Sequence, residues 1–196
     1  MNLKVFKNQN SLKKKLLIGA KDLFWKFGIK KVSVEEICNY SGVSKMTFYR
    51  NFKNKEDILV NVMEAHMYNG LNKYKSIMVE KTSFDIKIKN IIKNENEISK
   101  GISKEFINEI YQIEDSPIKQ KFDEYQKISL IEIRKDFKRA QKNGEIRKDY
   151  SLDFILYMLE DINKKAANKE LQKLYPSEEY LIMNLIQMFF YGILPK

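Results

Sequence analysis

The sequence predicts an all-α protein, with a short helix-turn-helix unit at the N-terminus and a larger helical domain after it. Three observations lead to this prediction. Only 7 Gly and 3 Pro occur in 196 residues, so long helices are expected. Apolar residues recur every three or four positions through most of the chain. Residues that cap helices stand where these apolar runs begin.

The helix ends are predicted from local signals. Gly28 follows the first apolar run and is expected to stop that helix. Ser33-Val34-Glu35-Glu36 is a capping box, and Gly42 supplies a left-handed turn before a second cap at Ser44. Asn54 is expected to cap a fourth helix. Helices are predicted at 11–27, 33–40, 44–52, 54–80, 84–98, 103–111, 118–143, 151–174 and 177–194.

The third helix has two different faces. On a wheel of about 100° per residue, Phe48 and Phe52 lie on one side and should enter the core of the three-helix unit. The residues on the opposite side are Met46, Thr47, Tyr49 and Arg50. A helix with one apolar side and one polar, aromatic side suits a DNA major groove, although an ordinary solvated face would look similar.

Positive charge is concentrated near the N-terminus. Residues 1–66 hold 13 Lys and Arg against 6 Asp and Glu, whereas the remaining residues hold 23 against 20. This distribution indicates phosphate binding. The competing explanation is an AT-rich genome, in which Lys replaces Arg throughout a chain of net charge +10.

The stretches "AKDLFWKFGIKKVSVEEI" and "SGVSKMTFYRNFKNKEDIL" carry a family resemblance. Over residues 12–59 the chain resembles the DNA-binding domain of the TetR (tetracycline-repressor) family. The resemblance implies a homodimeric transcriptional repressor that binds a palindromic double-stranded operator and is released by a small, largely apolar effector. It implies DNA contacts from Ser33, Ser44, Lys45, Met46, Thr47, Tyr49, Arg50, Asn51 and Lys55. Many members have His at the position of Asn51. The basic start of the chain either reaches the DNA or is a solvated tail.

The resemblance also implies a domain division into 1–53, the DNA-binding domain, and 54–196, the ligand-binding and dimerisation domain. The last two helices are the most apolar, and the family forms a four-helix bundle across a two-fold axis. The expected interface residues are Ile155, Leu159, Ile182, Ile186, Phe189 and Phe190. A core within one chain is the alternative explanation for the same residues.

An effector site is expected against the inner face of the long fourth helix. The candidate residues are Met63, His66, Met67, Tyr74, Phe122, Tyr125 and Tyr157. For any one of them, simple packing in the core explains the pattern equally well.

The sequence offers little for catalysis. One His and one Cys provide no metal-ligand cluster, and no phosphate-binding glycine loop occurs, so no catalytic residue, metal or cofactor is predicted. No signal peptide or membrane span is predicted either, because the most apolar window, Leu181–Leu194, is short and polar in part. A cytoplasmic, nucleoid-associated regulator is expected. The alternatives are a DNA-binding regulator controlled by a protein partner, without a small-molecule pocket, and a helical ligand-binding protein without operator binding.

Overall fold

The computed structural model describes residues 11–114 and 116–194, and all regular structure in those ranges is α-helical. The helices are α1 (Ser11–Phe27), α2 (Val34–Ser41), α3 (Lys45–Asn51), α4 (Lys55–Met78), α5 (Phe84–Ser99), α6 (Lys104–Tyr111), α7 (Pro117–Asn143), α8 (Leu152–Ala166), α9 (Lys169–Lys173) and α10 (Glu178–Ile193). The all-α prediction is confirmed. None of the described helices is long and apolar enough to cross a membrane.

The predicted caps are present. The Ser33 side chain accepts a hydrogen bond from the Glu36 amide, and the Glu36 carboxylate accepts one from the Ser33 amide, which completes the capping box of α2. Ser44 accepts from the Thr47 amide at the start of α3. Gly42, with φ of 62°, ends α2 in the left-handed conformation. These contacts join residues three or four positions apart, which is why the sequence alone predicts them.

The single helix predicted over 151–174 is wrong. The structure ends α8 at Ala166 and begins α9 at Lys169. Asn168 causes the break, because its Oδ1 accepts the amides of Glu170 and Leu171, both at 3.0 Å. The buried side-chain amide of Gln172 then donates to the Ala166 carbonyl at 2.9 Å, and this hydrogen bond links α9 to the C-terminal end of α8.

The described residues divide into two compact units. The first contains the residues up to Asn72 together with Gly101–Tyr125, and the second contains Lys73–Lys100 and the residues from Gln126 onward. Both α4 and α7 therefore contribute to each unit. The division into domains 1–53 and 54–196 is one of function, and it stays a prediction.

The first unit is built on α1, α2 and α3. Its most deeply buried side chains are Leu16, Ala20, Phe24, Ile37, Phe48 and Ile58, none of which is exposed to solvent. Helices α1 and α2 approach closely at Gly19, where an added Cβ would lie 2.2 Å from the Ser41 hydroxyl oxygen. The predicted three-helix core is thus present, and it holds α3 by its Phe48 side.

The second unit packs α10 against α5 and α8. This packing corrects the predicted dimer interface. Ile155, Ile186, Phe189 and Phe190 are buried in the chain's own core, and Leu159 and Ile182 pack partly buried against it. Helix α10 is apolar on more than one side, and one of these sides is buried in the core of the same chain. The opposite faces of α8 and α10 remain exposed.

The single tryptophan of the chain, Trp25, is buried in the first unit, so its fluorescence follows the unfolding of that unit. The Trp25 ring meets the His66 ring edge to face at 5.1 Å and stacks on Phe106 at 4.4 Å. Burial lowers the pKa of His66 to about 4, and the positive charge of Lys21 adds to the shift. His66 is therefore a neutral residue at physiological pH, and its ring contact with Trp25 agrees with the packing explanation that the sequence leaves open for it.

We expect Gly42→Ala to destabilise the first unit by about 1 kcal/mol, because an L side chain is strained at positive φ. Gly70→Ala is the matched control. Gly70 is helical and has open space around its Cα, so this substitution should increase the free energy of unfolding by about 0.5–1 kcal/mol. Chemical unfolding followed by Trp25 fluorescence measures both changes. Equal effects of the two substitutions would contradict the left-handed turn.

Acidification should destabilise the first unit through His66. Its folded pKa lies below the ordinary value of 6.5, so below that pH only the unfolded state takes up the proton and stability falls toward pH 4. Between about pH 7 and pH 5.5 we expect a loss of about 1 kcal/mol. His66→Gln cannot take up this proton and should lose clearly less. Unfolding followed by Trp25 fluorescence measures the stability at each pH. If the variant loses as much stability as the wild type, His66 does not cause the acid destabilisation.

Candidate nucleic-acid interface

The turn between α2 and α3 sets the geometry of the candidate surface. The Gly42 amide donates to the Asn39 carbonyl at 3.2 Å, and the Val43 amide donates to the Cys38 carbonyl at 3.0 Å. Val43 and Cys38 are both buried. Three residues therefore connect the two helices, with one apolar side chain anchoring the turn in the core.

The outward face of α3 carries the side chains predicted to read DNA. Met46 is 66% exposed and Tyr49 is 58% exposed, and Lys45 and Arg50 are exposed as well. Phe48 on the other side is fully buried, and its ring meets the Tyr49 ring edge to face at 5.3 Å. The structure thus brings four of the predicted contact residues together on one short solvent-facing helix surface.

Two further predicted contacts cap helices at this surface. The Ser33 and Ser44 side chains are exposed. The Ser33 hydroxyl also donates to the Glu36 carboxylate at 2.7 Å, and the hydrogen bonds from Ser33 hold the pKa of Glu36 below its usual range. Ser44 Oγ lies 3.1 Å from Thr47 Oγ1. Both hydroxyls therefore have partners within the chain before any ligand is present.

The remaining predicted contacts are half-buried. The Thr47 carbonyl accepts a hydrogen bond from the Asn51 side-chain amide at 2.7 Å. This bond closes one turn of α3 and occupies one N–H of Asn51. Asn51 thus supports α3 from within, and its predicted contact with DNA stays a prediction.

Lys45 has an acidic neighbour that the sequence analysis did not single out. Its ammonium donates to Glu35 Oε2 at 2.8 Å, and this carboxylate raises the pKa of Lys45. Both side chains are more than half exposed, so the ion pair contributes little stability. Any anion that binds Lys45 would compete with Glu35 for the same ammonium.

Lys55 is the residue whose position differs most from expectation. Its ammonium donates to the backbone carbonyls of Ile29 and Val32, both at 2.9 Å, and to that of Lys30 at 3.4 Å. The side chain is half-buried beneath the loop between α1 and α2. No sequence signal marks this arrangement, because the partners are more than twenty positions away along the chain.

The basic start of the chain is described only from Ser11 onward. Lys4 and Lys7 lie outside the described residues. The Lys13 ammonium lies 5.4 Å from the centre of the Phe52 ring. This cation therefore packs on the aromatic residue that directly follows α3.

The predicted effector residues fall into both units. Five belong to the first: Met63 is buried, Met67 and His66 pack beside the core, and Phe122 and Tyr125 lie on α7. Burial raises the pKa of Tyr125 to about 12, with Tyr68 and Glu64 adding to the shift. The Phe122 ring meets Tyr111 at 6.3 Å.

The other two predicted effector residues, Tyr74 and Tyr157, belong to the second unit. The Tyr74 hydroxyl is buried, and burial together with the neighbouring Asp136 raises its pKa. Tyr157 is 65% exposed, so the expectation that it lines an enclosed cavity is wrong. It lies on the face of α8 opposite the buried Ile155 and Leu156.

Comparison with known proteins supports the reading of the N-terminal segment. Residues 16–62 match the family described as bacterial regulatory proteins, tetR family. An uncharacterised HTH-type transcriptional regulator of Bacillus subtilis (strain 168), YerO, is 34% identical over 68 residues. That match spans 35% of this chain and only 24% of the relative.

Two solved structures resemble the whole chain in fold. The fatty acid degradation regulator FadR from Bacillus halodurans superimposes with a TM-score of 0.72 at 16% identity, covering 95% of this chain and 98% of that one. FadR from Bacillus subtilis, solved in complex with stearoyl-CoA, gives 0.69 at 18% identity, covering 92% and 98%. Together with the capped turn between α2 and α3, the family match shows that residues 16–62 belong to the family described as bacterial regulatory proteins, tetR family, and the two solved structures show that the whole chain shares their helical fold.

Proposed function

We propose that this chain is a transcriptional repressor that binds a palindromic operator as a homodimer and is released by a small, largely apolar effector. The observation that carries the DNA-binding part is the outward face of α3. Met46, Tyr49 and Arg50 are exposed there while Phe48 anchors the helix from behind. An α-helix fits the major groove, and guanidinium and phenol groups reach base edges and phosphates.

Electrostatics supports the same surface. The segment of residues 1–66 holds 13 Lys and Arg against 6 Asp and Glu, and the outward face of α3 carries Lys45 and Arg50. Phosphate attraction of this kind supplies affinity that does not depend on sequence, while base contacts supply specificity. A bacterial protein acting on DNA in this way works in the cytoplasm.

The homodimer is supported by an apolar stripe on the second unit. The outer stripe consists of Phe154, Tyr157, Tyr180, Met188 and Tyr191, each between 49% and 67% exposed. These residues lie on α8 and α10, which pack against each other. Large apolar side chains left exposed on two helices that pack together indicate a protein interface, and a second copy of the chain presents the same residues.

The effector is supported by the aromatic character of the first unit. Around α4 and α7, Trp25, His66, Phe106, Tyr111 and Phe122 bring rings into contact. The His66 imidazole is neutral at physiological pH, so the surroundings of these rings favour an apolar molecule over an anion. The structurally similar FadR from Bacillus subtilis was solved with stearoyl-CoA, and the apolar stearoyl chain of that ligand, but not its anionic CoA part, is consistent with a long apolar effector for this chain.

Tyr49→Ala and Arg50→Ala should each weaken binding to a selected operator by about 1–3 kcal/mol, because each removes a contact with DNA. Thermal unfolding should not change for Arg50→Ala, whose side chain is exposed, and should fall only slightly for Tyr49→Ala, which also removes the ring contact with Phe48. Tyr68→Ala removes another exposed phenol of the first unit, outside α2 and α3, and serves as the control. Fluorescence anisotropy measures the affinities. Wild-type binding by both α3 variants would remove α3 from the interface.

Met188→Glu should convert the dimer to a monomer. It places a carboxylate without a partner among the residues of the outer stripe, which the proposed dimer buries, at a cost of about 3 to 5 kcal/mol. Val79→Glu is the control, since Val79 is 80% exposed and lies outside the stripe. Sedimentation velocity distinguishes the two species. If the Met188 variant sediments as a dimer, the subunits do not pair through α8 and α10.

A further inference from the structure

The loop between α1 and α2 is held by side chains from two distant helices. On its carbonyl side, the Lys55 ammonium at the start of α4 binds the Ile29, Lys30 and Val32 oxygens. On its amide side, Glu109 of α6 accepts the Lys30 amide at 3.0 Å and also the Ile29 amide. One cation and one anion thus fix both edges of the loop at residues 28–32.

This loop leads directly into the candidate interface. Val32 is buried, and the next residue, Ser33, caps α2. Lys55 also acts on the cap electrostatically. After the two hydrogen bonds from Ser33, its positive charge contributes to lowering the pKa of Glu36. Moving the loop would therefore move Ser33 and the first turn of α2.

The hydrogen bonds of Lys55 leave it poorly placed to bind a phosphate. An ammonium group has three N–H donors, and three carbonyl oxygens lie within hydrogen-bonding distance. A phosphate contact would require breaking one of these bonds and leaving a backbone acceptor without its partner, which is unfavourable where the carbonyl is shielded from water.

We infer that Lys55 is a positioning residue for the DNA interface, acting through the loop at 28–32 on Ser33 and the start of α2, and that it does not bind a DNA phosphate. This inference rests on the proposed DNA-binding function. It replaces the phosphate contact that the sequence resemblance implied for Lys55.

Two substitutions separate the two roles. Lys55→Arg keeps the positive charge, and arginine binds phosphate at least as well as lysine does. The planar guanidinium cannot direct its N–H groups at three carbonyls arranged around one nitrogen, so it should not hold the loop. Lys55→Met removes the charge and keeps most of the side-chain volume. Lys53→Met removes one charge from an exposed neighbouring position and calibrates the general effect of charge loss.

The experiment measures affinity for a DNA duplex that the wild-type protein selects from a random-sequence library. Anisotropy titrations between about 50 and 200 mM salt give the slope of log affinity against log salt, to which each lost phosphate contact contributes about 0.9. Both Lys55→Met and Lys55→Arg should lose about tenfold or more in affinity, with slopes unchanged from wild type. Amide hydrogen exchange at residues 29 and 30 should become faster in both variants.

The inference is overturned if Lys55→Arg binds like wild type, or if Lys55→Met flattens the slope by about 0.9. It is also overturned if neither variant loses affinity. If neither variant folds, Lys55 is required for the fold itself and a positioning role is rejected. A wild-type protein that selects no duplex contradicts the proposed function instead, so the two failures are distinguishable.

Discussion

The candidate DNA-binding surface depends on the burial of Phe48. Helix α3 is only seven residues long, and a helix of that length is not stable in water by itself. Phe48 is fully buried in the core of the first unit and packs against the ring of Phe52 at 5.6 Å. Since successive helical residues point about 100° apart, fixing Phe48 inward directs Met46, Tyr49 and Arg50 outward.

Local features of this fold could be predicted from the sequence, and contacts between distant segments could not. Ser33, Ser44 and Gly42 act on atoms within four positions, so residue type and spacing were sufficient. Lys55 has an ordinary helix-start sequence around it, yet its partners are the carbonyls of residues 29, 30 and 32. Only the folded chain brings them together.

The burial pattern of α10 shows a second limit of sequence reasoning. Phe189 and Phe190 stand beside Met188 and Tyr191, so apolar residues point in several directions around the helix. Periodicity cannot tell which of them face the chain's own core when nearly all are apolar. The structure buries the two phenylalanines and exposes the other pair, which moves the proposed dimer surface to the opposite side of the helix. Asn168 was missed for a related reason, because asparagine is tolerated within helices as well as at their caps.

The two units have separate parts in the proposed function. The first unit presents α3 and contains the rings around Trp25 and His66, and the second unit carries the outer stripe on α8 and α10. Pairing through that stripe would give two copies of α3 related by a two-fold axis, and such a pair matches an inverted repeat in DNA.

Hydroxyl-radical footprinting on a selected duplex tests most directly whether two copies of α3 bind one DNA molecule together. The proposed dimer predicts two protected patches over an inverted repeat, with centres about 34–36 Å or a multiple of that distance apart along one face of the helix. A single protected half-site, or protection without sequence preference, would contradict paired recognition by α3.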